Sequence, residues 1–120
     1  MDRCEQHYDK YKVNREFLSI GELGTDFKPW YVTGAFYCSL HLIEGYFAKM
    51  NNISHENHIE TLRDVKKNSV LMRIFRDYYT LYHESLKARY GEKVFSDEDI
   101  RNIENSLQSI ETKLLAMVSC

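Results

Sequence analysis

The sequence predicts an all-α protein, an up-and-down bundle of about five helices. Three observations carry this. Five glycines and one proline in 120 residues are too few breakers for a chain built on tight β-turns. Several segments repeat apolar residues at spacings of three and four, while none reads as a strand. The breaks between these segments are short, which suits antiparallel helical neighbours.

Taken in order, residues 3–19 are polar with Tyr8, Tyr11, Val13, Phe17 and Leu18 interspersed, the pattern of an amphipathic helix. "GELGTDF" at 21–27 breaks it with two glycines and turn formers. Pro29 suits the first turn of a second helix, expected to run to about Met50. Val32, Ala35, Phe36, Cys38, Leu40, Leu42, Ile43 and Phe47 surround that helix, and a helix apolar on most faces belongs at the centre of a bundle. "NNISHEN" ends it. A shorter helix follows from about Glu56 to Lys67, with Ile59, Leu62 and Val65 along one side. A long helix is expected from about Val70 to Tyr90, with an apolar face of Leu71, Ile74, Phe75, Tyr78, Leu81 and Tyr82. Gly91 is placed to cap it. "SDED" at 96–99 is an N-terminal capping signal, a serine followed three residues later by an acid. In the last helix Ile100, Ile103, Leu107, Ile110, Leu114 and Met117 keep spacings of three and four.

With 14.3 kDa, 43% hydrophobic and 28% charged residues, the chain reads as one soluble domain over 1–120. Residues 1–27 are open to being an N-terminal extension of it. A net charge of −2 and a pI of about 6.2 exclude a global positive field, so any RNA contact must come from a local patch. "MDRCEQHYDK" lacks the apolar run of a signal peptide. "WYVTGAFYCSLHLIEGYFAKM" approaches membrane-span length, but His41 and Glu44 would be costly in lipid, so no membrane is expected. Three widely spaced cysteines, Cys4, Cys38 and Cys120, suit a reducing cytoplasm better than a disulfide framework.

The candidate chemistry lies in "RDYYTLYH", residues 76–83. Seven residues make about two helical turns, so Arg76 and His83 share an azimuth roughly 10 Å apart along the axis, with Tyr79 between them. They flank the apolar face at a partly desolvated boundary that a partner subunit could cover. Such a pair suits phosphodiester cleavage without metal. Histidine titrates near neutrality and can move protons at the 2′-hydroxyl or the leaving oxygen. Arginine's planar fork stabilises charge on the phosphoryl oxygens. Arg73, Tyr79 and Lys87 are candidate substrate-binding residues beside it. A solvated helix face would carry the same residue types, with Arg73–Asp77 and Glu84–Lys87 as intrahelical ion pairs.

The other histidines suggest no cofactor. His55 and His58 are three apart, as are His41 and Glu44, but a di-iron bundle uses Glu-x-x-His and the order here is reversed. The expectation is no metal, with His41 satisfied in the core and His55 and His58 capping a loop. Cys38 reads as core.

Three stretches resemble the HEPN family, the helical "higher eukaryotes and prokaryotes nucleotide-binding" group. "WYVTGAFYCSLHLIEGYFAK" at 30–49 is similar to the family's central helix. "ISHENH" at 53–58 resembles the Ser-His turn after it, where relatives often have arginine in place of His58. "YYTLYHESLKARYG" at 78–91 resembles the tyrosine- and leucine-rich helix ending in Ala-Arg-Tyr. The resemblance spans about residues 30–115. It implies a helical bundle, commonly a homodimer, and for many members a metal-independent endoribonuclease of toxin–antitoxin, CRISPR-linked or phage-defence systems. It also implies an antitoxin or a larger effector complex as partner. The family motif is an arginine, often followed by Asn, Asp or His, then a histidine after four to six residues. By this resemblance Arg76 and His83 become the catalytic pair and Asp77 the accompanying polar residue. One toxin subgroup has a tyrosine two positions after the histidine, where this chain has Ser85. Other HEPN domains are non-catalytic and bind nucleotides or partners.

Overall fold

The computed structural model describes residues 2–19 and 27–119. Except for Phe27, the "GELGTDF" break lies outside the described residues, as does Cys120. The described residues form five α-helices and no strand: α1 Arg3–Ser19, α2 Lys28–Met50, α3 His58–Lys67, α4 Phe75–Arg89 and α5 Asp97–Val118. No described helix is long and apolar enough to cross a membrane.

The central helix is α2, as its all-round apolar sequence predicts. It packs against α1, α4 and α5. Val32, Ala35, Phe36, Cys38, Leu42 and Ile43 are fully enclosed. Pro29 occupies the first turn, where its missing N–H has no partner to lose. Two glycines let neighbours approach closely. A Cβ at Gly45 would lie 2.7 Å from Cγ1 of Val118, and one at Gly34 would lie 2.9 Å from Cδ2 of Leu18.

Helix α1 buries Cys4, Tyr11 and Leu18. These residues are seven apart, so they form one narrow line along two-turn steps. Val13 and Phe17 were expected on the apolar side, but they lie off that line and Val13 is 68% exposed. The same correction applies in α3. Its inner line is Thr61 and Val65, four apart, and Ile59 points away at 74% exposure.

The long helix expected from Val70 begins instead as a 3₁₀ turn, Leu71–Ile74, and becomes α-helical only at Phe75. Asn68 explains the tight start. Its side-chain oxygen accepts from the backbone N–H groups of Val70 and Leu71, an Asx-type turn that winds the chain before α4. Leu71, Ile74, Tyr78 and Leu81 are buried from this stretch, and Phe75 and Tyr82 are half-buried. Past its end, Gly91 takes a positive φ of 67°, a conformation that favours glycine. The Ser96 capping box forms as its sequence predicts. The serine hydroxyl accepts from Asp99 N–H, and the Asp99 carboxylate accepts from Ser96 N–H. Ile103, Leu107, Ile110, Leu114 and Val118 of α5 are all buried.

Candidate functional site

Arg76 and His83 both lie on the solvent side of α4, exposed rather than at a half-buried boundary. The apolar line of Ile74, Tyr78 and Leu81 faces the core, which turns positions 76, 79 and 83 outward. The ring of Tyr79 packs on that of His83, centroids 5.2 Å apart, and on Phe75 at 5.9 Å. Tyr79 is itself 44% exposed. The structure therefore brings Tyr79 and His83 into contact and leaves Arg76 one turn further back on the same stripe.

The partners of the cations differ from expectation. Glu84 and Lys87 pair at 3.6 Å as predicted, although Lys93 also holds Glu84, at 3.2 Å. The predicted Arg73–Asp77 ion pair is absent among the described residues. Arg73 belongs to the 3₁₀ turn and Asp77 to α4. The change of helical type between them removes the spacing that an i,i+4 pair requires. Arg76 likewise has no carboxylate within ion-pair distance among the described residues, so its guanidinium is uncommitted. Clefts lie beside Tyr31 and Glu104, beside Trp30 and Tyr37, and among the histidines at the α1–α2–α3 junction, and none of these three is lined by Arg76, Tyr79 or His83.

That junction holds four of the five histidines around a pocket of about 200 Å³, lined by His7, His41, Glu44, His55 and His58 among others. His55 lies in the loop between α2 and α3. Its ring is sandwiched between carboxylates: Nδ1 lies 2.9 Å from both oxygens of Glu44, and Nε2 lies 2.8 Å from Asp64. Thr61 donates its hydroxyl to Glu44 at 2.9 Å. Burial alone would lower the His55 pKa, but the hydrogen bonds to Glu44 and Asp64 outweigh it and hold the imidazolium above its ordinary range. The cluster ties the loop after α2 and helix α3 to the central helix. The α3 cap is Asn57, whose side chain accepts from Glu60 N–H. His58, the first residue of α3, sets its ring against Phe36 and Tyr82.

His41 is satisfied, though by a group 34 positions away. Its Nδ1 lies 3.0 Å from Nδ1 of His7 on α1. Burial and the neighbouring His7 push the His41 pKa down to about 4. No sequence spacing could announce this pair. A buried glutamate in an apolar helix, by contrast, signals a missing cationic partner, and that signal leads to His55. No group of three or more histidine, cysteine or acidic side chains among the described residues is arranged to hold a metal ion.

A second polar network joins α1, α2 and α5. Arg15 pairs with Glu104 at 2.6 Å and with Glu111 at 3.1 Å. Tyr31 donates to Glu104 and Tyr11 to Glu111. It braces three helices and leaves no uncommitted base or nucleophile. Cys38 is enclosed near this network, and burial pushes its thiol up to about 12, which suits packing rather than reactivity.

No protein-family model, no curated protein and no solved structure matches this chain.

Proposed function

We propose that the chain is a metal-independent endoribonuclease of the HEPN type, a cytoplasmic toxin or defence effector that works as a homodimer through the outer stripe of α4. The observation that supports this reading is the uncommitted Arg76 guanidinium on the same exposed stripe as His83, whose ring rests on Tyr79. An arginine without a carboxylate keeps its fork for a phosphate. A histidine in solvent contact can exchange protons with substrate and water. In this reading His83 is the general acid/base and Arg76 holds the phosphoryl oxygens. Asp77 orients Arg76 or its copy across the dimer. Tyr79 stacks on a base, and Arg73 and Lys87 extend the cationic track. RNA supplies the nucleophile as its 2′-hydroxyl, so the products carry 2′,3′-cyclic phosphate ends. An antitoxin or larger effector complex would cover this stripe.

The test is RNA cleavage by purified protein in EDTA, wild type beside His83→Ala. Metal-independent cutting that disappears in the variant supports the proposal. Equal cutting by both, or none by either, sinks it. The second reading is a non-catalytic module that binds nucleotide, RNA or a partner protein. It is favoured by one observation: Arg76, Tyr79 and His83 line none of the clefts described above.

A further inference from the structure

We propose that the N-terminal half of α1 is held to α2 by an acid-sensitive latch, the His7–His41 pair, and opens from α2 as the pH falls below about 6.5. The geometry carries this. The two Nδ1 atoms are 3.0 Å apart and the ring centroids 5.3 Å. A centroid separation this much larger than the nitrogen separation means that the rings meet head-on, nitrogen to nitrogen. One ring must donate and the other accept. The pair accommodates at most one extra proton, because a second would set two imidazolium N–H groups against each other.

Burial decides the direction for His7, whose charged surroundings pull both ways, Glu44 raising its pKa while Lys10 and Arg3 lower it. His7 faces Arg3 and Lys10 from its own helix and His41 and Glu44 from α2; His41 faces His7 and Lys10. Across the pocket stand Glu56 and His58, with Glu44 already committed to His55 and Thr61. Burial lowers the pKa of His7 and that of His41, and Lys10 adds to both. At the α5 end the seam is closed around Val118. Val118 lies against Gly45 and accepts from Sγ of Cys4 at 3.3 Å.

The sign follows from proton counting. In the opened seam both histidines titrate near 6.5, whereas the closed pair, with both pKa values lowered, binds at least one proton fewer down to about pH 4, where His41 titrates. Closure is therefore fully favoured above pH 6.5 and weakens by at least about tenfold per pH unit below it. Two other contacts of α1 do not share this window. Arg15 holds Glu104 at a lowered pKa against the effect of burial, so that link survives until the carboxylate protonates. Arg3 donates to Ser54, a hydroxyl with no carboxylate or imidazole in the contact. On the far side of the pocket the His55 clamp gains from acid, since its imidazolium is the bound form. Moderate acidification thus loosens α1 while α3 stays fastened.

Cys4 reports the opening, because it is buried in this seam. Its modification by a dipyridyl disulfide, a reagent that works in acid, would be followed by peptide mass and normalised to the denatured chain at each pH. Protection is expected to be constant above pH 6.5 and to fall at least about tenfold by pH 5.5. In His41→Gln and in His7→Gln the fall should become shallower, because only one buried histidine remains to take up a proton on opening. A flat wild-type profile between pH 7 and 5 overturns the latch, and so does an unchanged slope in a folded glutamine variant. Far-UV circular dichroism at pH 7 identifies which variants are folded. Should both unfold, the wild-type profile alone decides.

Discussion

Tyr78 is fully buried against Phe36, and its hydroxyl has no hydrogen-bond partner among the described residues. Burial pushes its pKa up, so it stays neutral and simply bears the loss of hydration. Tyr78→Phe should therefore leave the fold as stable as wild type or up to about 1 kcal/mol more stable, read by urea denaturation. His55 gives the opposite result. Its raised pKa means that its contribution is fully present below pH 6.5 and is lost as pH rises through the folded value. The melting temperature of wild type should fall relative to His55→Gln on going from pH 6 to pH 9. Parallel profiles would show that the two carboxylates do not need the imidazolium. At the proposed site, Arg76→Lys should lose RNA cleavage along with His83→Ala, because lysine keeps the charge and loses the fork. Both residues are exposed, so neither variant should melt more than a few degrees from wild type.

Among the elements, α5 was the most legible in sequence. Ser96, Asp99 and the apolar line from Ile103 to Leu114 state its start, its direction and its inner face. Leu107→Ala should cost about 2–5 kcal/mol, because the side chain is fully enclosed. Ser96→Ala should cost about 0.5–2 kcal/mol through the lost cap. An unchanged denaturation midpoint in either variant would contradict the packing described here. Elsewhere the sequence misled where polar residues did the burying. Thr61 is inside because its hydroxyl serves Glu44, and Ile59 is outside because one turn of α3 can face α2 with only one line. The 3₁₀ start of α4 was equally invisible, since apolar spacing does not register what the Asn68 side chain does to the backbone. Of the candidate site, the shared stripe of Arg76, Tyr79 and His83 was legible from periodicity. Its exposure was not, because that depends on which line of α4 wins the core. The His7–His41 and Glu44–His55–Asp64 contacts were hidden for a simpler reason, being set by helix packing rather than by spacing.

At the scale of the whole molecule, Tyr79 is an exposed aromatic side chain within the stripe of the proposed site. If two copies meet there, light scattering at tens of micromolar should give twice the 14.3 kDa chain mass, and Tyr79→Glu should shift the population toward the single chain. A monodisperse monomer would remove the second wall that the proposed cleavage needs. The central position of α2 has another outcome, one that belongs to synthesis rather than to the finished protein. Helix α2 is complete at Met50, yet the helix that covers one side of it ends at Val118. At ordinary translation rates that interval of roughly 70 residues lasts about 3–14 s. Throughout it, the nascent chain displays the most apolar segment of the protein with one flank unclothed. Slowing the ribosome between these points should increase chaperone capture and aggregation, while speeding completion of α5 should relieve both.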